Sequence, residues 1–420
     1  MNIVFFILEF FSAFLLLVLT PIYFIFRKLS DKSTEGYLAK AGFFNPEKPL
    51  SEKIIMFHGV SVGEVIALEN LIKLTHETFK DYKIVITTGT KTGQDIANKK
   101  YSNIAEYITF FPFDMPYCVK RFFDKIRPDI ILMAETELWP SFAMYARKKN
   151  IPLLLINGRI SDDSFKAYKY FGWFFKHIFA CYTGIFTQSE DDRQKMIQMG
   201  ARADKTEVMK NLKFDIQKNP NPINFNKAEE RILLAGSTHK GEDEIVLKIF
   251  KNLKNKFPDL KLIIAPRHLT RKQDVETLIK EIGFKHALRS DTNAGAAFGE
   301  NDIILLDTLG ELSRMYKIAD IAFIGGSFNN TGGHNPLEAV IYSKPVISGP
   351  SIKNFKDIYS LLTKSGAASV VKNQAEFEQY TEKLLSDKDF YNKTVQNAAK
   401  IFESQKGAKD FVIDKIRETL

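Results

Sequence analysis

Residues 321–338 read IAFIGGSFNNTGGHNPLE, and this stretch decides the fold. Ile321 to Ile324 is a short unbroken apolar run, the pattern of a strand covered by helices on both faces. Gly325-Gly326-Ser327 ends it and Gly332-Gly333 makes a second turn. Asn335-Pro336 then opens a helix, with Asn335 as cap and Pro336 in the first helical position. A strand passing through glycine turns into a helix is one step of a parallel-sheet α/β unit. Backbone N–H groups left exposed at such turns form an anion site, and a nucleotide phosphate is their natural guest. Glu338, a turn further in, can accept hydrogen bonds from ribose hydroxyls. No Gly-Lys-Ser/Thr follows, so this is not a Walker loop, and no dinucleotide fingerprint follows the first strand of either half.

Working outward, the same alternation fills the chain. Strands are expected at 53–57, 83–88, 129–133, 152–156 and 184–187, and again at 231–235, 260–265, 302–306, 321–324, 345–348 and 368–371. Between the two series, residues 217–226 carry Pro220 and Pro222 among Asn and Lys and read as a linker. The expectation is two doubly wound, Rossmann-like domains, 31–216 and 227–420, the last helix being able to pack back on the first domain. Ligands in such sheets sit at the carboxyl ends of strands.

Composition narrows the classes. The 420 residues are 45% hydrophobic and 26% charged, which suits two or three domains and excludes disorder. Lys+Arg 59 against Asp+Glu 50 leaves +9, a modest bias toward anionic partners. Cys118 and Cys181 are too few and too far apart for a disulfide or zinc framework. Seven histidines show no two-His helical spacing, and Asp387-Lys388-Asp389 reads as a turn or cap, so neither a metal nor a cofactor is expected. From Ile3 to Phe26 roughly twenty residues are apolar, enough to cross a hydrocarbon core of about 30 Å. Arg27, Lys28 and Lys32 follow, which puts the bulk of the chain on the cytoplasmic side. A membrane anchor at 1–30 is therefore expected. Glu9 and Pro21 weaken it, and a helix in the interface or a buried core helix are the alternatives.

Strand ends in the first half carry the candidate chemistry. His58-Gly59-Val60-Ser61-Val62-Gly63-Glu64 places Glu64 where a carboxylate can deprotonate a hydroxyl nucleophile, or merely favour a helix dipole; His58 reads as a turn or packing residue. Glu135-Thr136-Glu137-Leu138-Trp139-Pro140 sets two carboxylates after a buried strand, either in a cleft or as helix caps. Arg159, in Asn157-Gly158-Arg159, can clamp a carboxylate or phosphate or pair with one of those glutamates. Residues 165–182 hold nine aromatic residues interleaved with Lys166, Lys169 and Lys176. That mixture suits the headgroup level of an anionic membrane, or a core helix with a basic solvated face. No nucleic-acid fold signature accompanies it, and no nucleic acid is expected as a partner.

Taken in order, these motifs resemble the Kdo transferases, which attach 3-deoxy-D-manno-oct-2-ulosonic acid (Kdo) to lipid A precursors. The resemblance covers essentially the whole chain and adds Asn211-Leu212-Lys213-Phe214-Asp215, Gly236-Ser237-Thr238-His239, Pro266-Arg267-His268 and Asp307-Thr308-Leu309-Gly310-Glu311. Lys210 stands where the family usually has Gly, and Ala339 where Pro often follows Glu338. The resemblance implies a GT-B glycosyltransferase with two domains facing across a cleft, the first binding the acceptor and the second CMP-Kdo. It implies inverting, metal-independent transfer to lipid IV-A in lipopolysaccharide synthesis, at the cytoplasmic side of the inner membrane. Glu64 would be the general base, and Glu135 and Lys213 would stabilise the transition state. CMP would lie against Pro266, Arg267, Leu309, Gly310, Glu311, Asn335, Pro336, Leu337 and Glu338. Ser61, Gly63, Glu137, Arg159, His268, Gly326 and Gly333 complete the expected substrate-binding set. The competing readings are a UDP-sugar lipid transferase, a sugar-nucleotide 2-epimerase, or a membrane-tethered nucleotide-binding module without catalysis.

Overall fold

The computed structural model describes Phe11, Phe14 and residues 17–21, 34–46, 50, 53–223, 225, 227–291 and 298–420. The anchor expected at 1–30 falls mostly outside them. Of that stretch Phe11, Phe14 and residues 17–21 are helical, with Phe11, Phe14 and Leu17 exposed. Among the described residues no helix is long and apolar enough to cross a membrane, so a spanning anchor is not part of the described fold.

The chain forms two compact units, residues 1–215 with 406–420, and residues 216–405. In the first, seven parallel strands run β1 (Ile54–Gly59), β2 (Lys83–Thr88), β3 (Ala105–Phe110), β4 (Ile130–Ala134), β5 (Leu153–Gly158), β6 (Gly184–Thr187) and β7 (Thr206–Val208). Their order across the sheet is β3-β2-β1-β4-β5-β6-β7. Every residue of β1, β4 and β5 is buried, because alternate side chains enter cores on opposite faces. Ile54 and Met56 join Phe122 and Phe142 on one face; Ile55 and Phe57 join Leu71 and Ile72 on the other. The second core is completed by the chain's last helix, Ala408–Thr419, through Val412, Ile413 and Ile416. Asp215 secures that return, its carboxylate accepting the N–H groups of Gly407 (2.8 Å) and Lys409.

The second unit repeats the plan with β8 (Arg231–Thr238), β9 (Leu260–Pro266), β10 (His286–Leu288), β11 (Ile303–Leu305), β12 (Ile321–Ile324), β13 (Val346–Ser348) and β14 (Ala368–Val370). The order is β10-β11-β9-β8-β12-β13-β14. The residues expected as linker, 217–226, touch this unit: Asn219 N–H donates to Tyr342 Oη at 3.2 Å, and Phe225 is buried against Phe298.

Three strands, β3, β7 and β10, are absent from the sequence-based expectation. All three lie at sheet edges, where half-solvated positions such as Glu106, Glu207 and His286 interrupt the apolar run that marks an inner strand. In each unit the strand order reverses beside the first strand, between β1 and β4 and between β8 and β12. These reversals are the crevices where doubly wound sheets take ligands.

Candidate functional site

At the β1/β4 reversal the sequence builds an acidic cluster. Ser61 caps the helix Val62–Ala67, and Glu64 three residues on closes a capping box. Glu64 Oε1 accepts from Ser61 Oγ and Oε2 from Val60 N–H, both at 2.7 Å, which fixes the carboxylate's direction. Gly63 is exposed beside it. Burial raises the Glu64 pKa, opposed by the Ser61 hydroxyl and reinforced by the charge of Glu135. The capping and basic readings of Glu64 are therefore compatible: the cap orients a carboxylate whose proton affinity is increased.

Glu135 follows β4 in a left-handed conformation (φ 56°), held by its N–H to Ile156 O at 2.9 Å. Its carboxylate accepts from Arg159 Nε at 3.1 Å across the ends of β4 and β5. Thr136 Oγ1 also bonds the Arg159 backbone. Glu137 is pushed up to about 7, first by burial and then by the charges of Glu64 and Glu135. Neither Glu135 nor Glu137 caps the next helix, Pro140–Lys148; Asp114 does so, accepting from Ser141 N–H (3.0 Å) and Phe142 N–H (2.8 Å). The two glutamates are thereby left for the crevice. His58 is a packing residue: fully buried, its ring lies 4.0 Å from that of Phe111 and burial pushes it down to about 3.

Lys213 sits on the 3-10 turn Leu212–Phe214. A buried amide network, not apparent from sequence, fixes this turn to β5. Asn157 Oδ1 accepts from Leu212 N–H (3.1 Å), Gln188 Nε2 donates to Asn157 O (3.0 Å), and Asn211 Nδ2 donates to Gln188 Oε1 (2.7 Å). The Lys213 turn is thus registered on the strand that also delivers Arg159. Lys210 adopts φ 70°, the left-handed state that favours glycine, which explains the usual Gly there.

At the β8/β12 reversal the expected amide nest is already filled. Glu242, 1% exposed at the start of the helix Glu242–Lys256, accepts the N–H groups of His239 (2.9 Å), Gly326 (2.7 Å), Ser327 (2.8 Å) and Phe328 (2.9 Å). The second glycine turn is likewise committed: Gly333 N–H donates to Gly326 O (2.8 Å) and His334 N–H to Gly325 O (3.2 Å). Gly326 and Gly333 therefore shape the loop and do not offer their N–H groups to an anion. The helix after them, Leu337–Val340, is a single turn, too short for a strong dipole. Leu337 is fully buried and its N–H bonds Asn335 Oδ1 at 3.1 Å, so Asn335 caps as expected while the helix begins one residue after Pro336.

Side chains carry the basic groups instead. Arg267 and His268 are exposed after β9. His239 Nε2 and His334 Nε2 are 2.9 Å apart, and the His268 ring lies edge-on to His239 at 5.8 Å. Glu338 has its pKa raised by burial, with Arg267 opposing. At the end of β11, Leu309 is 85% exposed and Gly310 takes φ 80° with open space where a Cβ would stand. Glu311 behind them pairs with Arg289 (3.2 Å) and Arg314 (3.4 Å). Among the described residues no group of three His, Cys, Asp or Glu could hold a metal ion.

A family model described as 3-deoxy-D-manno-octulosonic-acid transferase (kdotransferase) matches residues 29–216, and one described as glycosyl transferases group 1 matches residues 215–401. The chain is 36% identical to a bifunctional glycosyltransferase/methyltransferase of Fusobacterium nucleatum over 80% of its own length, and spans 53% of that relative. It is 30% identical to the 3-deoxy-D-manno-octulosonic acid transferase of Haemophilus influenzae, over 98% of this chain and 99% of that one. For the enzyme of that name in Rickettsia bellii the identity is 33% over 90% of each. A solved UDP-GlcNAc 2-epimerase from Neisseria meningitidis shares the fold, with TM-score 0.57 at 13% identity, over 87% of this chain and 100% of that one. Two parallel-sheet α/β domains with these likenesses make a GT-B fold.

Proposed function

The chain belongs to the 3-deoxy-D-manno-octulosonic-acid transferase family, and from that premise we propose that it moves Kdo from CMP-Kdo to a hydroxyl of the lipid A precursor lipid IV-A. The reaction is an inverting, metal-independent displacement. The observation that carries this reading is the grouping of Glu64, Glu135, Glu137 and Arg159 at the β1/β4 reversal.

In the proposed step Glu64 takes the proton of the acceptor hydroxyl while that hydroxyl's oxygen bonds the anomeric carbon. The bond from that carbon to the phosphate oxygen breaks, and its electron pair leaves with CMP. A carboxylate of raised proton affinity, held by Ser61 and Val60, suits that base. Glu135, kept in place by Arg159, lies with the developing positive charge of an oxocarbenium-like transition state. Lys213 and Arg267 answer the opposite charge, on the Kdo carboxylate and the departing phosphate. Glu137, titrating near neutrality, limits how much negative charge the cluster carries.

The acceptor's acyl chains belong in a bilayer, and the first unit offers a surface for one. The helices Asp162–Lys169 and Gly172–Phe179 bury Ile178 and Phe179 but expose Tyr170 (84%), Trp173 (69%) and Phe171 (56%) beside Lys166, Lys169 and Lys176. That mixture supports placement at the cytoplasmic face of the inner membrane. The direct test is mass spectrometry of a tetra-acylated lipid A precursor incubated with CMP-Kdo and the protein. A product heavier by one or more Kdo residues is expected; an unchanged acceptor refutes the reading.

A further inference from the structure

Three histidines scattered in sequence meet at the β8/β12 reversal, and two of them are bonded to each other. The His239 and His334 rings are nearly coplanar, 11° apart, with centroids at 5.2 Å. That separation is what two imidazoles reach when laid edge to edge with facing nitrogens 2.9 Å apart, so the contact is an N–H···N hydrogen bond and not face stacking. Such a bond needs one Nε2 protonated and the other bearing a lone pair. In a neutral pair the rings are therefore opposite tautomers, and one Nδ1 is left unprotonated. One further proton can enter at that Nδ1 without breaking the bond; a second would set two Nε2–H groups against each other. The pair can hold one extra proton and no more.

The charged groups facing it decide when that proton arrives. Arg267, His268 and Arg271, all after the end of β9, face the pair, as does Glu242, whose carboxylate is committed to four backbone N–H groups. Burial, with Arg267 next in weight, pushes His334 down to about 4, and burial likewise lowers His239. With no anion present, the pair is neutral at pH 7. A phosphate dianion beside Arg267 reverses the local field and favours the charged form.

We propose that the His239–His334 pair takes up one proton from solvent when a nucleotide monophosphate binds beside Arg267, so that the pair and the guanidinium together match the phosphate's two charges. This rests on reading the second unit as the nucleotide-binding one. The proton spreads cationic charge beside loops that have four backbone N–H groups already committed to Glu242.

Titration calorimetry of CMP into the full chain at pH 7.0, in PIPES, HEPES and Tris, tests it. The slope of the observed heat against buffer ionisation enthalpy counts protons taken up. Roughly 0.5–1 proton is expected for the unaltered protein, against about a tenth of a proton released by the nucleotide phosphate, whose second pKa is near 6. His334→Gln and His239→Gln should each bring the slope to zero or slightly negative. CMP binding with no buffer dependence in the unaltered protein overturns the proposal and leaves the donor reading intact, whether or not either variant folds. An unchanged slope in both folded variants also overturns it. No CMP binding at all overturns the donor reading, and the proposal with it.

Discussion

Replacing Glu242 by glutamine alters one atom at the most connected side chain of the second unit. The carboxylate accepts four backbone N–H groups, two on each oxygen, and is 1% exposed. A glutamine oxygen can serve two of them, while its NH₂ would face the other two donors. Two charge-assisted bonds are lost and two buried N–H groups left unpaired, at about 1.5–3 kcal/mol each, so roughly 3–6 kcal/mol in all. Both tryptophans, Trp139 and Trp173, lie in the first unit, so tryptophan fluorescence reports that unit and circular dichroism reports both. With a urea m-value of about 2 kcal/mol/M, the second unit's midpoint should fall by about 1.5–3 M in circular dichroism. The fluorescence midpoint should stay within about 0.2 M of the unaltered protein. A dichroism shift below about 0.5 M would mean that the loops after β8 and β12 do not depend on this carboxylate, and the argument that Glu242 fills the nest would fail.

Glu64→Gln should lower transfer by at least ~100-fold while leaving CMP affinity within a few fold, because it removes the base and not a donor contact; near-normal turnover would remove that assignment. Glu137 binds its proton more tightly folded than unfolded, so its contribution to stability is favourable at low pH and lost as pH rises from 4.5 through about 7. After discounting for solvent screening this is on the order of 1–2 kcal/mol. Melting temperature should fall across that window more in the unaltered protein than in Glu137→Gln, and equal slopes would contradict the shift. Asp215→Ala removes the carboxylate that accepts Gly407 and Lys409 N–H, and should cost the first unit about 1–2 kcal/mol by urea unfolding; a loss below about 0.3 kcal/mol would show the return helix to be held by packing alone. CMP should raise the melting temperature and UDP should not, and turnover should survive EDTA. Equal stabilisation by UDP would favour a UDP-sugar enzyme, and strict dependence on added Mg²⁺ would rule out the metal-independent step.

The inner strands and their carboxyl ends were legible because a strand buried on both faces is apolar along most of its length: β4 and β12 are apolar throughout, and β1 and β5 are so until His58 and Asn157. The edge strands were not, since burial there no longer selects against Glu106, Glu207 or His286. Glu64, Glu135, Glu137 and Arg159 could be singled out because each stands within a few residues of the end of such a run. Asn157, Gln188 and Asn211 could not: each looks like an ordinary strand-end polar residue, and their partnership depends on β5, β6 and β7 lying side by side. Glu242 misleads for a related reason. An acidic residue in a helix's first turn is what the dipole prefers, and nothing local reveals that its side chain crosses to the neighbouring strand end. His239 and His334 each close a glycine-bearing motif, but 94 residues separate them in the chain, and only the reversal between β8 and β12 makes them neighbours.

The two reversals solve a common steric problem with residues that are not glycine. Glu135, just past β4, and Ser237, near the end of β8, adopt φ 56° and 57°, a state costing an ordinary residue on the order of 1 kcal/mol or more. Each is over-determined by its surroundings. Glu135 is tied by its N–H to β5 and by its carboxylate to Arg159. Ser237 is crowded by Gly325, where a Cβ would stand 2.3 Å from the serine carbonyl oxygen; the glycine at the end of β12 is what admits the kink. Because a left-handed residue breaks the regular pleat, the first kink sends Thr136-Glu137 out beyond β4, while the second puts a register shift into β8, so that Thr238 still pairs with Pro266 and His239 follows just past the strand. In the first unit that leaves carboxylates in the crevice, unrelieved by any cap. In the second it leaves an imidazole, with Glu242 holding its backbone N–H. The same backbone device thus yields an acidic site in one unit and a basic site in the other, and the difference in chemistry rests on which side chain stands one or two residues beyond the kink.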